Sequence, residues 1–134
     1  MDYTREEKLS LLSEMIELAK SDNKLKKSEV EFIELVATSL NLERKEVGEL
    51  IARPVKRLVL ASEFERIVQF YRLLLVINVD EQVSLKEVKA IKNLGLRMGL
   101  PSQAIDEVFQ QMENYENRII PTNSLMKIFK KFHN

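Results

Sequence analysis

Two stretches of this chain, Asp22-Asn-Lys-Leu-Lys-Lys-Ser-Glu29-Val-Glu-Phe-Ile33 and Asp80-Glu-Gln-Val-Ser-Leu-Lys-Glu87-Val-Lys-Ala-Ile91, coincide when the sequence is slid along itself so that Asp22 falls on Asp80. The match runs without a gap from Asp22–Ile51 onto Asp80–Phe109. Six positions are identical: Asp22/Asp80, Glu29/Glu87, Val30/Val88, Ile33/Ile91, Leu42/Leu100 and Glu49/Glu107. Around them apolar meets apolar at Leu25/Val83, Val36/Leu94, Leu40/Met98, Val47/Ile105 and Leu50/Val108, and upstream at Met15/Leu73, Ile16/Leu74, Leu18/Val76 and Ala19/Ile77. Self-similarity at a fixed shift marks a repeated structural unit, here helix, loop, helix, tight turn, helix. Neither unit alone covers its apolar face, so the two must share one core. The sequence therefore predicts an all-α, single-domain helical bundle of about seven to eight helices, with an internal pseudo-duplication that relates residues 22–51 to 80–109.

Helix start signals and apolar spacing support this outside the repeat as well. Thr4 to Glu7, Ser62 to Glu65 and Ser84 to Glu87 have the form of a capping box, in which hydroxyl and carboxylate each satisfy an orphan backbone N–H. Leu9, Leu12, Ile16 and Ala19 make one face of a helix over 5–21. Further helices are expected over 27–40, 43–52, 85–98 and 102–114, with a closing helix after Pro121 that carries Leu125, Ile128, Phe129 and Phe132. Ile67 to Val79 is apolar on nearly every side, which predicts the central helix. Residues 55–61, beyond Pro54, read as a short helical turn.

Composition bounds the function. The chain has 134 residues, 45% hydrophobic and 31% charged, which suits one folded domain. Twenty-one basic residues balance 21 acidic ones, so no long-range field draws it to nucleic acid or anionic lipid. The lysine groups Lys86, Lys89, Lys92 and Lys127, Lys130, Lys131 have acids between them and no interleaved aromatics, and no nucleic-acid partner is expected. No cysteine is present, which excludes thiolate metal sites and cysteine nucleophiles. Ile67–Val79 is too short for a membrane span, and the polar, charged start suggests a cytoplasmic address. Gly48, Gly95 and Gly99 form no phosphate-cradling motif, and His133 is the penultimate residue. No nucleophile, base and orienting group assemble from these residues, so a non-enzymatic role is expected and no catalytic or cofactor-binding residue is assigned.

The repeated acids carry the remaining chemistry. Glu29 and Glu87 stand at the third position of their helices, where a carboxylate caps the helix start and meets its positive dipole end. Asp22 and Asp80 stand where the preceding helix stops, and Asp22-Asn23 suits a chain reversal. The alternative is that Asp22 joins Glu29, and Asp80 joins Glu87 with Glu81, across their loops as two carboxylate clusters for Ca²⁺ or Mg²⁺. Neither loop is an EF-hand. Positions 3, 5, 6 and 12 are Lys24, Lys26, Lys27 and Ile33 from Asp22, and Gln82, Ser84, Leu85 and Ile91 from Asp80. The three lysines of the first loop oppose a cation, which leaves the second loop better suited to one.

The segments Ala19–Ile33 and Val76–Ile91 resemble the signature of the TerB-like (tellurite-resistance) superfamily, in which an Asp-Gly turn, an aliphatic residue and a helix-opening Glu recur in each half. Leu40-Asn-Leu42 and Met98-Gly-Leu100 are similar to that family's Leu-Gly-Leu helix turn, and the resemblance covers roughly residues 8–132. It implies a helical bundle and a cytoplasmic bacterial protein of stress or phage-defence systems, acting as an adaptor for an unidentified protein partner or as a metal sensor. By position, the family's acidic sites fall on Asp22, Glu29, Asp80 and Glu87. The turn glycine of the family is replaced by Asn23 in the first half and by Glu81 in the second. The expected function is a non-enzymatic adaptor, with a divalent-cation-binding regulatory protein as the alternative.

Overall fold

Side-chain caps set where the helices begin. In the computed structural model, which describes residues 2–79 and 83–133, Thr4 Oγ1 accepts from the Glu7 N–H (3.1 Å) and the Glu7 carboxylate accepts from the Thr4 N–H (2.8 Å). These bonds open α1, Arg5–Ala19. Ser62 Oγ accepts from the Glu65 N–H at 3.1 Å and opens α4, Glu63–Asn78, ahead of the apolar run that begins at Ile67. The helices α2 (Lys27–Ser39), α3 (Lys45–Ala52), α5 (Leu85–Arg97), α6 (Ser102–Met112) and α7 (Thr122–Lys131) complete the set, with a short 3₁₀ turn at Glu116–Arg118. The described residues are all-helical, without a strand.

The shift that lays Asp22 on Asp80 also carries the start of α1 onto that of α4, and the whole of α2 onto α5, which has the same length. The helix ends correspond too. Asn41 and Gly99 follow α2 and α5 with left-handed φ of 61° and 82°. In each case a return bond closes the end, from Leu42 N–H to Ala37 O (2.9 Å) and from Leu100 N–H to Gly95 O (3.1 Å). This is the Schellman arrangement, which needs a residue that tolerates positive φ, and asparagine and glycine are the two that do so most readily.

Both α1 and α4 are central. Leu12, Met15, Ile16, Leu18 and Ala19 of α1 are buried, as are Phe70, Leu73, Leu74, Val76 and Ile77 at the matching positions of α4. The two helices pack on each other, α2 and α5 each touch both, and α3 lies against α1. One continuous hydrophobic cluster joins all seven helices. α7 closes the core through Leu125, Ile128 and Phe129, whose ring meets Phe70 edge-on at 5.9 Å between centroids.

Residues 54–60 are irregular, not the helical turn their composition suggests. The backbone donors of this strap go to hydroxyls of α1: Val55 N–H to Ser13 Oγ (3.1 Å) and Leu58 N–H to Ser10 Oγ (2.8 Å). Arg57 Nε donates to Glu14 of the same helix at 2.8 Å, and Leu60 is buried with Tyr3 and Leu11. Replacing both hydroxyls, Ser10→Ala with Ser13→Ala, leaves two part-buried N–H groups without their partners, at about 1–3 kcal/mol each. The expected result is a lower unfolding midpoint with faster amide exchange at Val55 and Leu58; unchanged exchange at those two amides contradicts this account of the strap.

Candidate functional site

Glu29 and Glu87, matched by the repeat, meet each other. Each turns back over the first turn of its own helix as an N3 cap. Glu29 Oε1 accepts from the Lys26 N–H at 3.1 Å, and Glu87 Oε1 accepts from the Ser84 N–H at 3.1 Å while Ser84 Oγ accepts from the Glu87 N–H. The cap geometry points both carboxyls inward where the starts of α2 and α5 approach, and each residue is only 1% exposed. The Glu87 carboxyl lies within hydrogen-bonding reach of Glu29. Burial first, then this contact and the Glu87 charge, push the Glu29 carboxyl up from 4.5 to about 7, against the lowering effect of the Lys26 N–H.

Two buried carboxyls that act on each other in this way cannot both stay ionised cheaply, and a proton between them removes one charge. Glu29 Oε2 is buried without an N–H or O–H donor among the described residues, and a shared proton supplies one. The second charge is met by the Lys26 ammonium, 4.0 Å from Glu87 Oε1 and 23% exposed.

Of the acids that the spacing groups into two loop clusters, Asp22, Glu29 and Glu87 are among the described residues. Asp22 Oδ1 accepts from the Lys24 N–H at 3.1 Å, and Asn23 takes a left-handed φ of 64°, so this aspartate holds the chain reversal. Among the described residues the charged groups acting on the Glu29 carboxyl are Glu87 and Lys26. Asp80 and Glu81 lie outside the described residues. Among the described residues no group of three or more His, Asp or Glu side chains is placed to hold a metal ion. The pairing of Glu29 with Glu87 is invisible in the sequence because it depends on how two units far apart in the chain pack together. Its one sequence signal is that both are N3 caps at matching positions.

A second buried polar network has no sequence signal at all. Gln69, 1% exposed, donates its Nε2 to Glu14 (3.1 Å) and to Leu11 O (3.2 Å), and accepts from Arg72 at 3.2 Å. Glu14 in turn holds Arg57. His133 is exposed with Nδ1 3.2 Å from Glu63, and Lys92 and Lys131 pair with Asp106 and Glu107.

The fold and its site define an all-helical bundle with a buried carboxyl pair between the starts of α2 and α5. Comparisons with family models, curated proteins and solved structures find no match to this chain.

Proposed function

We propose that the protein is a non-enzymatic, TerB-like helical adaptor of bacterial stress response, built from one three-helix unit used twice and acting through protein contacts. The supporting observation is an apolar groove of about 380 Å³ between the start of α4 and α7. Phe64, 54% exposed, and Met126 line it above buried Ile67 and Phe129. Lys127 and Lys130 stand on its border as exposed cations without an acidic partner among the described residues. Glu63, in contact with His133, is the one acid of the lining, so two lysines face one glutamate, and an apolar floor with this basic surplus fits the apolar face of an amphipathic helix flanked by acids. A short fluorescent peptide with leucines on one face and flanking glutamates should bind saturably and more weakly at high salt. Lys127→Glu with Lys130→Glu should weaken it by about tenfold or more, and Phe64→Ala comparably. Equal binding of a lysine-flanked peptide, or equal affinity in these variants, overturns this reading of the groove.

The adaptor setting proposed is the cytoplasm. No helix among the described residues is long and apolar enough to cross a membrane.

The second reading is a divalent-cation regulatory protein using Ca²⁺ or Mg²⁺ at the paired acids. The unpartnered, buried Oε2 of Glu29 beside Glu87 favours it. The ion would have to displace the shared proton and the Lys26 ammonium. Asp22 holds its own turn, so further oxygen ligands would have to come from elsewhere.

A further inference from the structure

We propose that the cavity between α1, the strap and the end of α5 binds a small monocarboxylate with an apolar tail, independently of the protein-binding groove. The cavity measures about 510 Å³, within the range of about 300–1,000 Å³ typical of small-molecule sites. Ile16, Pro54 and Val55 supply apolar wall, and Lys20, Arg57 and Arg97 bring three cations to it.

Arg57 is the built element. Only its Nε is used, toward Glu14 at 2.8 Å, and its two Nη atoms have no partner among the described residues. Glu14 is 6% exposed and is itself fixed by the buried Gln69 amide. The guanidinium is therefore anchored through Nε with its fork unspent, an arrangement suited to accepting a carboxylate with little ordering cost. A single Nε bond suffices to tie the strap to α1, so the clasp leaves the Nη atoms unexplained.

Charge selects the ligand class. Glu14 and Glu17 also line the cavity, so three cations face two acids and one positive charge remains. The Arg97 to Glu17 pair is loose at 3.8 Å with both side chains more than half exposed, and such pairs exchange readily for a better anion. One surplus charge matches a monoanion, and the apolar walls match a hydrocarbon tail.

Octanoate is the probe, titrated into the full chain and followed by amide and Arg Nε NMR shifts, with octanol, octylammonium and octyl phosphate as controls. The expected result is saturable shifts at Ile16, Val55 and the Arg57 Nε with octanoate. Arg97→Gln together with Lys20→Gln should weaken it by about tenfold or more, and Arg57→Gln at least as much. The Arg97 and Lys20 changes lie on the exposed rim, so they keep the test valid if Arg57→Gln loosens the strap. Octanol or octylammonium binding as tightly as octanoate, tighter binding of octyl phosphate, shifts confined to the α4 and α7 groove, affinity unchanged in the Arg97/Lys20 variant, or no saturation at millimolar octanoate each overturn the assignment.

Discussion

Between about pH 4.5 and about pH 8 the protein loses roughly 2–3 kcal/mol of stability as the pH rises, and Glu29→Gln removes most of that loss. The cause is the buried Glu29 carboxyl, raised from 4.5 to about 7 by burial and by its contact with Glu87. A group that holds its proton more tightly folded than unfolded contributes stability in full below its unfolded pKa, and that contribution disappears as pH climbs through the folded value. At about 1.4 kcal/mol per unit the span sets an upper limit of roughly 3.5 kcal/mol. Glutamine keeps the acceptor for the Lys26 N–H and adds a permanent donor toward Glu87, so the variant should be the more stable protein at pH 8. Glu46 acts in the opposite sense and in a different window. Its carboxyl is held below 4.5 by the Glu43 N–H (2.9 Å) and by Arg5, so its contribution is lost as pH falls. Urea midpoints across the pH range check both. A stability that stays level from pH 5 to 8 in the wild type contradicts the shared proton.

The second large effect lies in the core, where the two halves differ. Phe70→Ala should cost about 3–5 kcal/mol, because the ring is fully buried and supports Phe129 edge-on. The ring also explains Gly95. A Cβ there would stand 2.9 Å from Phe70 Cε1 and 2.8 Å from Ile105 Cδ1. At the matching positions of the first half stand Leu12 and Ala37, a smaller side chain with a larger partner position. Gly95→Ala alone gains about 1 kcal/mol of helix propensity but overpacks by about 1–3 kcal/mol, a net loss. Phe70→Leu removes the ring contacts and leaves only the flexible end of Ile105 to shift, so the double variant should recover about 1 kcal/mol or more relative to the sum of the single changes. Strict additivity in denaturant titrations of the four proteins contradicts the compensation.

Local signals are legible in this sequence and long-range ones are not. Thr4, Ser62 and Ser84 announce three helix starts because a cap is a bond between near neighbours in the chain. Leu40-Asn-Leu42 and Met98-Gly-Leu100 likewise announce their turns. The bond from the Lys24 N–H to Asp22 is equally local, and a chain reversal at Asp22-Asn23 can be read from those two residues alone. The strap is different: its conformation is dictated by Ser10 and Ser13, far away in the chain, and not by its own composition. The same limit hides the contact of Glu29 with Glu87 and the Glu14, Gln69 and Arg57 network, which exist only once α1, α4 and the two helix starts are packed.

The carboxyl pair is tested most directly by following the side-chain carboxyl ¹³C resonances of Glu29 and Glu87 through a pH titration, in the wild type and in Glu87→Gln. The account predicts that Glu29 titrates near 7 in the wild type and at lower pH in the variant, whose new amide donates to it. A Glu29 midpoint at its ordinary 4.5, unmoved by the change at Glu87, contradicts it.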